Sequence, residues 1–186
     1  MSETGVIHGR FQVFHNDHLK YLMAGKARCT HLVVGITNPD PTLIGKDVSD
    51  PQRSSRLSNP LTYFERYTMV RAVLAEAGVR GEELSIVPLP INFPELYRFY
   101  VPLEATFYLT IYDGWGRRKL ELFHSLGLKT EILWEKPPEA KGVTGGQVRK
   151  LIAEKGIWEH LVPPATACLI KKWNLEERLN KLAVES

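Results

Sequence analysis

Residues 5–18 read Gly5-Val-Ile-His-Gly9-Arg-Phe-Gln-Val-Phe-His15-Asn-Asp-His18. The short apolar run Gly5-Val6-Ile7 predicts a strand over Val6–Gly9, followed by a loop and a helix that opens near Asp17. The loop carries an early glycine, an arginine and two histidines three residues apart. Glycine has no Cβ, so the backbone at Gly9 can approach a phosphate closely. A helix start presents unpaired N–H groups and the positive end of the helix dipole. Imidazoles at that point, His15 and His18, can donate hydrogen bonds to a polyphosphate. The segment therefore reads as a place where a nucleoside triphosphate is held and activated. A zinc site is a poorer reading. His-x-x-His supplies two ligands, and no other His, Cys or Asp cluster completes a tetrahedron.

Outward from this segment, strands and helices alternate. Asp17–Cys29 reads as a helix with Leu19, Leu22, Met23 and Ala27 on one stripe, and His31–Thr37 as a buried strand. Residues 38–60 show no period and are rich in Ser, Pro and Arg, as expected of a functional, mobile loop. Thr62 and Glu65 have capping-box spacing ahead of a helix over Tyr63–Ala77, which Gly78 closes. Leu84–Pro88, Thr106–Tyr112 and Lys129–Trp134 read as strands, Phe93–Tyr100 as a short helix and Gly116–Ser125 as a helix. Thr144 and Gln147 suggest a second capping box, opening a helix to about Glu154. Pro163-Pro164 precedes a C-terminal helix over Ala165–Ala183. This alternation predicts a mostly parallel sheet covered on both faces. In such sheets ligands bind beyond the carboxyl ends of the strands, at the topological switch point.

Bulk properties narrow the function classes. The 186 residues suit one domain, with a helical part over about 144–186. The net charge of +3 fits an anionic small molecule and lacks the dense basic stripe that nucleic acid needs. The two cysteines, Cys29 and Cys168, read as core thiols outside any Cys-x-x-Cys pair. No signal peptide and no apolar run approaching a membrane span is evident, so a cytoplasmic protein is expected.

Gly9-Arg-Phe-Gln-Val-Phe-His15-Asn-Asp-His18 resembles the Gly-Arg-Phe-Gln-Pro-x-His-x-Gly-His motif of the nucleotidyltransferase superfamily, and within it the nicotinamide-mononucleotide adenylyltransferases of archaeal type. Asn59-Pro-Leu-Thr-Tyr-Phe-Glu-Arg66 is similar to that family's Asn-Pro-Phe-Thr-x-x-Glu-Arg. Thr144-Gly-Gly-Gln-Val-Arg149 is similar to its Ser-Gly-Thr-x-Val-Arg, and Trp158-Glu-His-Leu-Val-Pro-Pro164 to its ending. The match is ordered and spans almost the whole chain. It departs at Val13, which replaces a proline, at Asp17, which replaces a glycine, and at the Thr144-Gly-Gly triplet, which has lost a hydroxyl. An acidic side chain beside a triphosphate repels it unless it turns away or caps the helix, as Asp17 is able to do.

The resemblance implies an α/β, Rossmann-like, doubly wound fold with a C-terminal helix. It implies in-line attack by the 5′-phosphate of nicotinamide or nicotinate mononucleotide on the α-phosphorus of ATP, giving a dinucleotide such as NAD and pyrophosphate, with Mg²⁺ carried on the ATP. On that reading His15, His18 and Arg149 steady the reacting phosphates. Gly9, Arg10, Phe11 and Thr144 hold the nucleotide, with Asp113 and Arg117 on its base side. Lys46, Arg53 and Arg56 stand in the long loop and can close over phosphates, Lys46 being carried as the nucleotide contact; a solvated charge is the bland role for each. Phe93, Tyr97, Phe99 and Tyr100 are the rings available to stack on a flat acceptor. Trp115 is equally suited to packing and to ligand contact, and Glu65 to capping. Other acceptors remain open, phosphopantetheine or an alcohol phosphate among them, with ATP or CTP as donor, as does a binding module without turnover. Homo-oligomers are common in the resembled family, and no element here identifies an interface.

Overall fold

The computed structural model describes residues 2–44 and 55–185. Five strands form one parallel sheet: β1 (Ser2–Gly9), β2 (Cys29–Thr37), β3 (Leu84–Leu89), β4 (Thr106–Ile111) and β5 (Lys129–Glu135), in the order β3-β2-β1-β4-β5. Among the described residues there are six α-helices: α1 (Asn16–Lys26), α2 (Tyr63–Glu76), α3 (Gly114–Ser125), α4 (Gly145–Ala153), α5 (Pro164–Lys172) and α6 (Leu175–Val184). This is the parallel, helix-covered sheet that the alternation predicts, in the Rossmann-like α/β form that the resemblance implies. Strand β1 begins earlier than its apolar run, because polar Ser2 and Thr4 still pair with Cys29 and His31 of β2.

The two faces of the sheet carry separate cores. Ile7, Phe11, Val34, Met69 and Val148 pack with α1, α2 and α4–α6, whereas Val6, Leu89, Tyr97, Phe107 and Phe123 pack on the α3 side. Side chains alternate along a strand, so adjacent Val6 and Ile7 enter different cores.

The chain leaves β1 toward β2 and β3, then crosses to β4 and β5 on the other side. The switch point is the β1/β4 seam. Strand β1 is in register with β2 from Ser2 to Gly9, but pairs with β4 only at Gly5–Thr106 and Val6–Phe107. Beyond those pairs the strands part. The carbonyl of Tyr108 accepts a hydrogen bond from the Tyr21 hydroxyl at 2.7 Å instead of a ladder N–H. The seam thus opens into a crevice at the carboxyl ends of β1 and β4.

Several local readings change. The C-terminal helix is two helices, broken at Asn174, whose φ of 48° is left-handed. Asn is among the residues that tolerate that conformation. The break lets Leu175 and Leu179 bury on α4, while Arg178 grips Glu65 of α2 with two hydrogen bonds of 2.8 Å. Cys29 is buried, but Cys168 is exposed. Thr166 and Ile170 turn the inner face of α5 into the core, and residue 168 lies on the opposite side. Thr62 and Glu65 form the full capping box, whereas at α4 only half exists: Thr144 accepts from the Gln147 N–H. Among the described residues no helix is long and apolar enough to cross a membrane.

Candidate active site

A cleft of about 530 Å³ occupies the crevice. His15, His18, Gly9, Arg10, Phe11, Asp113, Thr144 and Arg149 all line it. Residues more than 130 positions apart in sequence thus meet at one place.

The loop after β1 is held from below. Arg66 is buried and donates to the carbonyls of Thr37 (2.6 Å), Asn38 (2.7 Å) and Arg10 (3.0 Å), which tie the ends of β1 and β2 together. The Gln12 side-chain amide pairs reciprocally with the backbone of Leu61, at 2.9 Å each way. The Phe11 ring lies over Gly9, where a Cβ would come within 2.8 Å of it. Gly9 is therefore required for ring packing as well as for any approach of ligand. Phe11 is fully buried, its ring packed against Phe14 and His18.

His15, not Asp17, is the N-cap of α1. Its ring stacks on that of His18, with centroids 3.6 Å apart and planes 20° from parallel. The His15 N–H donates to Nδ1 of His18 at 3.3 Å. His18 is also packed edge-on to Phe11, with centroids 5.0 Å apart. With Nδ1 accepting, the neutral His18 ring carries its proton on Nε2. Burial lowers the His15 pKa to about 4; Asp17 opposes this, while Arg149 and Lys141 add to it. His18 is also held well below the ordinary value by burial, then by His15 and Arg10. Both rings are neutral donors at pH 7.

Helix α4 brings the second group of residues. Thr144 caps it, and Gly145 sits so close to the β1 loop that a Cβ there would lie 2.7 Å from the Gln12 carbonyl. The Arg149 guanidinium donates to that same carbonyl, and its pKa falls to about 10 through burial and then Arg10. The charge of Arg10 is felt at His18, Arg66 and Arg149. A cluster of mutually repelling cations at the mouth of a crevice is built for an anion.

Among the described residues, Asp17 and Asp113 are the carboxylates that line the cleft. Asp17 is turned against Gly142, where an added Cβ would meet its Oδ2 at 2.2 Å. Asp113 caps α3 by accepting from Gly116 N–H at 3.0 Å, and lies 3.8 Å from Lys141 Nζ. Among the described residues no cluster of three or more His, Cys, Asp or Glu side chains could hold a metal.

Some expected contacts are absent. Arg117 pairs with Glu135 on β5 and does not line the cleft. On α3, Trp115 and Lys119 share the cleft face, and residue 117 is about 200° around the helix from either. Lys46 and Arg53 lie outside the described residues, and exposed Arg56 pairs with Glu185 at 3.7 Å. The rings of 93–100 turn away as well: Tyr97 is buried and donates to the Ile91 carbonyl at 2.6 Å, while Phe99 is exposed beside Arg98. From that region only Ile91 and Asn92 reach the cleft. Trp115 lines the α3 wall, with Lys119 Nζ 3.4 Å from its ring centroid.

Sequence reasoning missed His8, Asn38, Asn92 and Lys119, all of which line the cleft. A histidine inside an otherwise apolar strand was the available signal for His8.

No protein-family model matches the sequence. Over 176 residues, 95% of both chains, it is 53% identical to a phosphonoformate cytidylyltransferase of Streptomyces viridochromogenes. It is 30% identical over 185 residues to a nicotinamide-nucleotide adenylyltransferase of Thermococcus onnurineus, covering 98% of this chain and 90% of that one. Among solved structures, a bifunctional NMN adenylyltransferase/ADP ribose pyrophosphatase from Francisella tularensis matches the fold with a TM-score of 0.71 at 15% identity. That match takes in 100% of this chain but 53% of the other, so this chain spans about half its length. The chain belongs to the nucleotidyltransferases, the family of these cytidylyl- and adenylyltransferases, and is an enzyme of nucleotidyl transfer.

Proposed function

We propose that this enzyme transfers a cytidylyl group from CTP to a phosphonate oxygen of a small carboxylated phosphonate such as phosphonoformate. The observation that carries this reading is the 53% identity across 95% of both chains with a phosphonoformate cytidylyltransferase. The geometry supports it: the rings of 93–100 that a flat nicotinamide acceptor could stack on do not line the cleft. The adenylyl reading rests on more distant similarity, at 30% identity.

In the proposed step the phosphonate oxygen attacks the α-phosphorus in line, the bond to the β-phosphate oxygen breaks, and pyrophosphate leaves. Such a transfer needs positioning and charge stabilisation and no covalent enzyme intermediate. His15 and His18 donate from neutral rings to the α-phosphoryl oxygens, where charge shifts in the transition state. Thr144, the N–H groups opening α4 and the forked Arg149 hold the departing β- and γ-phosphates. Arg10 and the backbone of Gly9 and Phe11 lie beneath the triphosphate, and Asp113 borders the base. Mg²⁺ would offset phosphate charge when bound. Asp113 is engaged by the Gly116 N–H and by Lys141, and no cluster of three metal-ligating side chains exists among the described residues, which fits a metal carried mainly by the nucleotide's own oxygens.

Pyrophosphate release by the purified enzyme, measured for CTP and ATP against phosphonoformate and nicotinamide mononucleotide, tests the proposal. Release with CTP and phosphonoformate is expected. Release only with ATP and the mononucleotide would replace it with the adenylyl reading.

A further inference from the structure

The cleft has a second polar region on the other face of the sheet from His15 and His18. Ile7 and Gly9 look toward α1 and the Phe11 ring, so His8 between them looks the other way, toward α3. Its ring centroid is 5.5 Å from that of Phe123. His8 is 5% exposed, and its Nδ1 is buried with no hydrogen-bond partner among the described residues. The His8 ring lines the cleft, and a buried polar atom in a native fold ordinarily has a partner, so an unpaired nitrogen in a cleft-lining ring points to a ligand. The position is the seam itself, where β1 and β4 have stopped pairing.

Lys119 lines the same part of the cleft, its ammonium held on the Trp115 ring. Its charge reaches His8: burial is the larger cause of the lowered His8 pKa and Lys119 the second. The region therefore offers a neutral imidazole donor and a cation on one side of the cleft. Asn92 also lines the cleft. Because His8 precedes Gly9 and Arg10 directly, the region adjoins the place proposed for the triphosphate.

We propose that His8 and Lys119 form the acceptor subsite and bind the carboxylate of the small phosphonate, leaving its phosphonate oxygen facing the α-phosphorus. This rests on the acceptor reading given above. An acceptor without the carboxylate fills neither partner, so the pair sets specificity as well as affinity.

The test is calorimetric titration of phosphonoformate, and of methylphosphonate, into enzyme saturated with α,β-methylene CTP, whose α–β bridge cannot be cleaved. Wild type should favour phosphonoformate by about ten- to a hundredfold, the range for hydrogen bonds to a charged group. His8→Leu and Lys119→Met should each remove most of that preference, while His8→Gln, which keeps a donor, should retain part of it. Lys119 is half-buried on a helix surface, so Lys119→Met keeps the test decisive should His8→Leu fail to fold. Equal binding of both ligands by wild type, or a preference unchanged in Lys119→Met, overturns the subsite. Turnover with CTP is read separately. Binding that depends on His8 and Lys119 without turnover would overturn the proposed reaction and leave the subsite standing, whereas turnover with an unchanged preference would do the reverse.

Discussion

The backbone N–H of His15 donates to Nδ1 of His18 across a stacked ring pair. One histidine thereby fixes the tautomer of the other and leaves Nε2–H as the donor His18 can offer. Replacing His18 by Ala should lower kcat about 10²- to 10³-fold, the usual loss for one transition-state donor, with the nucleotide KM changed only a few-fold. His18→Gln places an amide donor near the Nε2 position and should recover roughly tenfold of the loss. Steady-state kinetics of the two variants decide the matter. Unchanged kcat in His18→Ala would remove His18 from the reaction.

Burial of three imidazoles makes stability depend on pH. The His15 pKa falls from 6.5 in the unfolded chain to about 4 when folded, and His8 and His18 shift the same way. Between those values the unfolded state binds more protons, so stability rises with pH. It is fully present above about pH 6.5 and is lost as the pH falls toward 4. His15 alone accounts for about 3 kcal/mol over that window. Thermal melts from pH 7.5 to 4.5 should show a falling Tm, with a shallower slope in His15→Gln. A flat profile would mean that these rings are hydrated in solution.

The strands, their parallel arrangement and the Thr144 helix start were legible because each rests on a local signal, an apolar run, alternation or a cap, whereas the first helix is capped by His15 and not by Asp17. Other features depend on tertiary geometry. The apolar stripe from Leu169 to Leu182 runs on as if through one helix, and only the left-handed turn at Asn174 divides it. Residues 94–99 form a 3-10 helix, whose threefold repeat puts Tyr97 inward and leaves Phe99 out. Arg117 sits within the right motif but on the wrong side of its helix. Arg66 also matched a family segment, yet nothing in the sequence tells that its guanidinium faces five carbonyls.

Those carbonyls make Arg66 the structural centre of the nucleotide loop. It donates to Arg10, Thr37, Asn38, Pro39 and Thr62. Burial lowers its pKa to about 10, an effect that Tyr63 opposes and Arg10 adds to. Arg66→Met fills much of the same space but leaves buried acceptors unpaired, at about 1–3 kcal/mol each for those that water cannot reach. A net loss of about 3 kcal/mol is expected, which lowers Tm by roughly 6–12 °C in a chain of this size. Lysine, with one compact ammonium, should restore only part of it. Calorimetric melting measures the effect, and a Tm within 2 °C of wild type, on the order of the uncertainty in this scale, would show that the carbonyls find other donors.

Asp17 places a negative charge on the wall where the triphosphate is proposed to lie, and its carboxylate is pressed against the Gly142 backbone. Asp17→Gly removes that charge and should lower the nucleotide KM about threefold, a modest gain because the side chain is partly solvated. The same contact predicts a coupling. A methyl group at residue 142 meets Asp17 Oδ2 at 2.2 Å, and the carboxylate, being the free end of a side chain, swings away instead of unfolding the loop. Gly142→Ala should therefore cost little stability but push Asp17 into the cleft, raising the nucleotide KM about tenfold by like-charge repulsion. In the Asp17→Gly background the substitution has nothing to strike and should be nearly silent. A double-mutant cycle read in KM should give a coupling of about 1 kcal/mol or more. Additive effects would mean that Asp17 already faces the nucleotide and that Gly142 does nothing to restrain it.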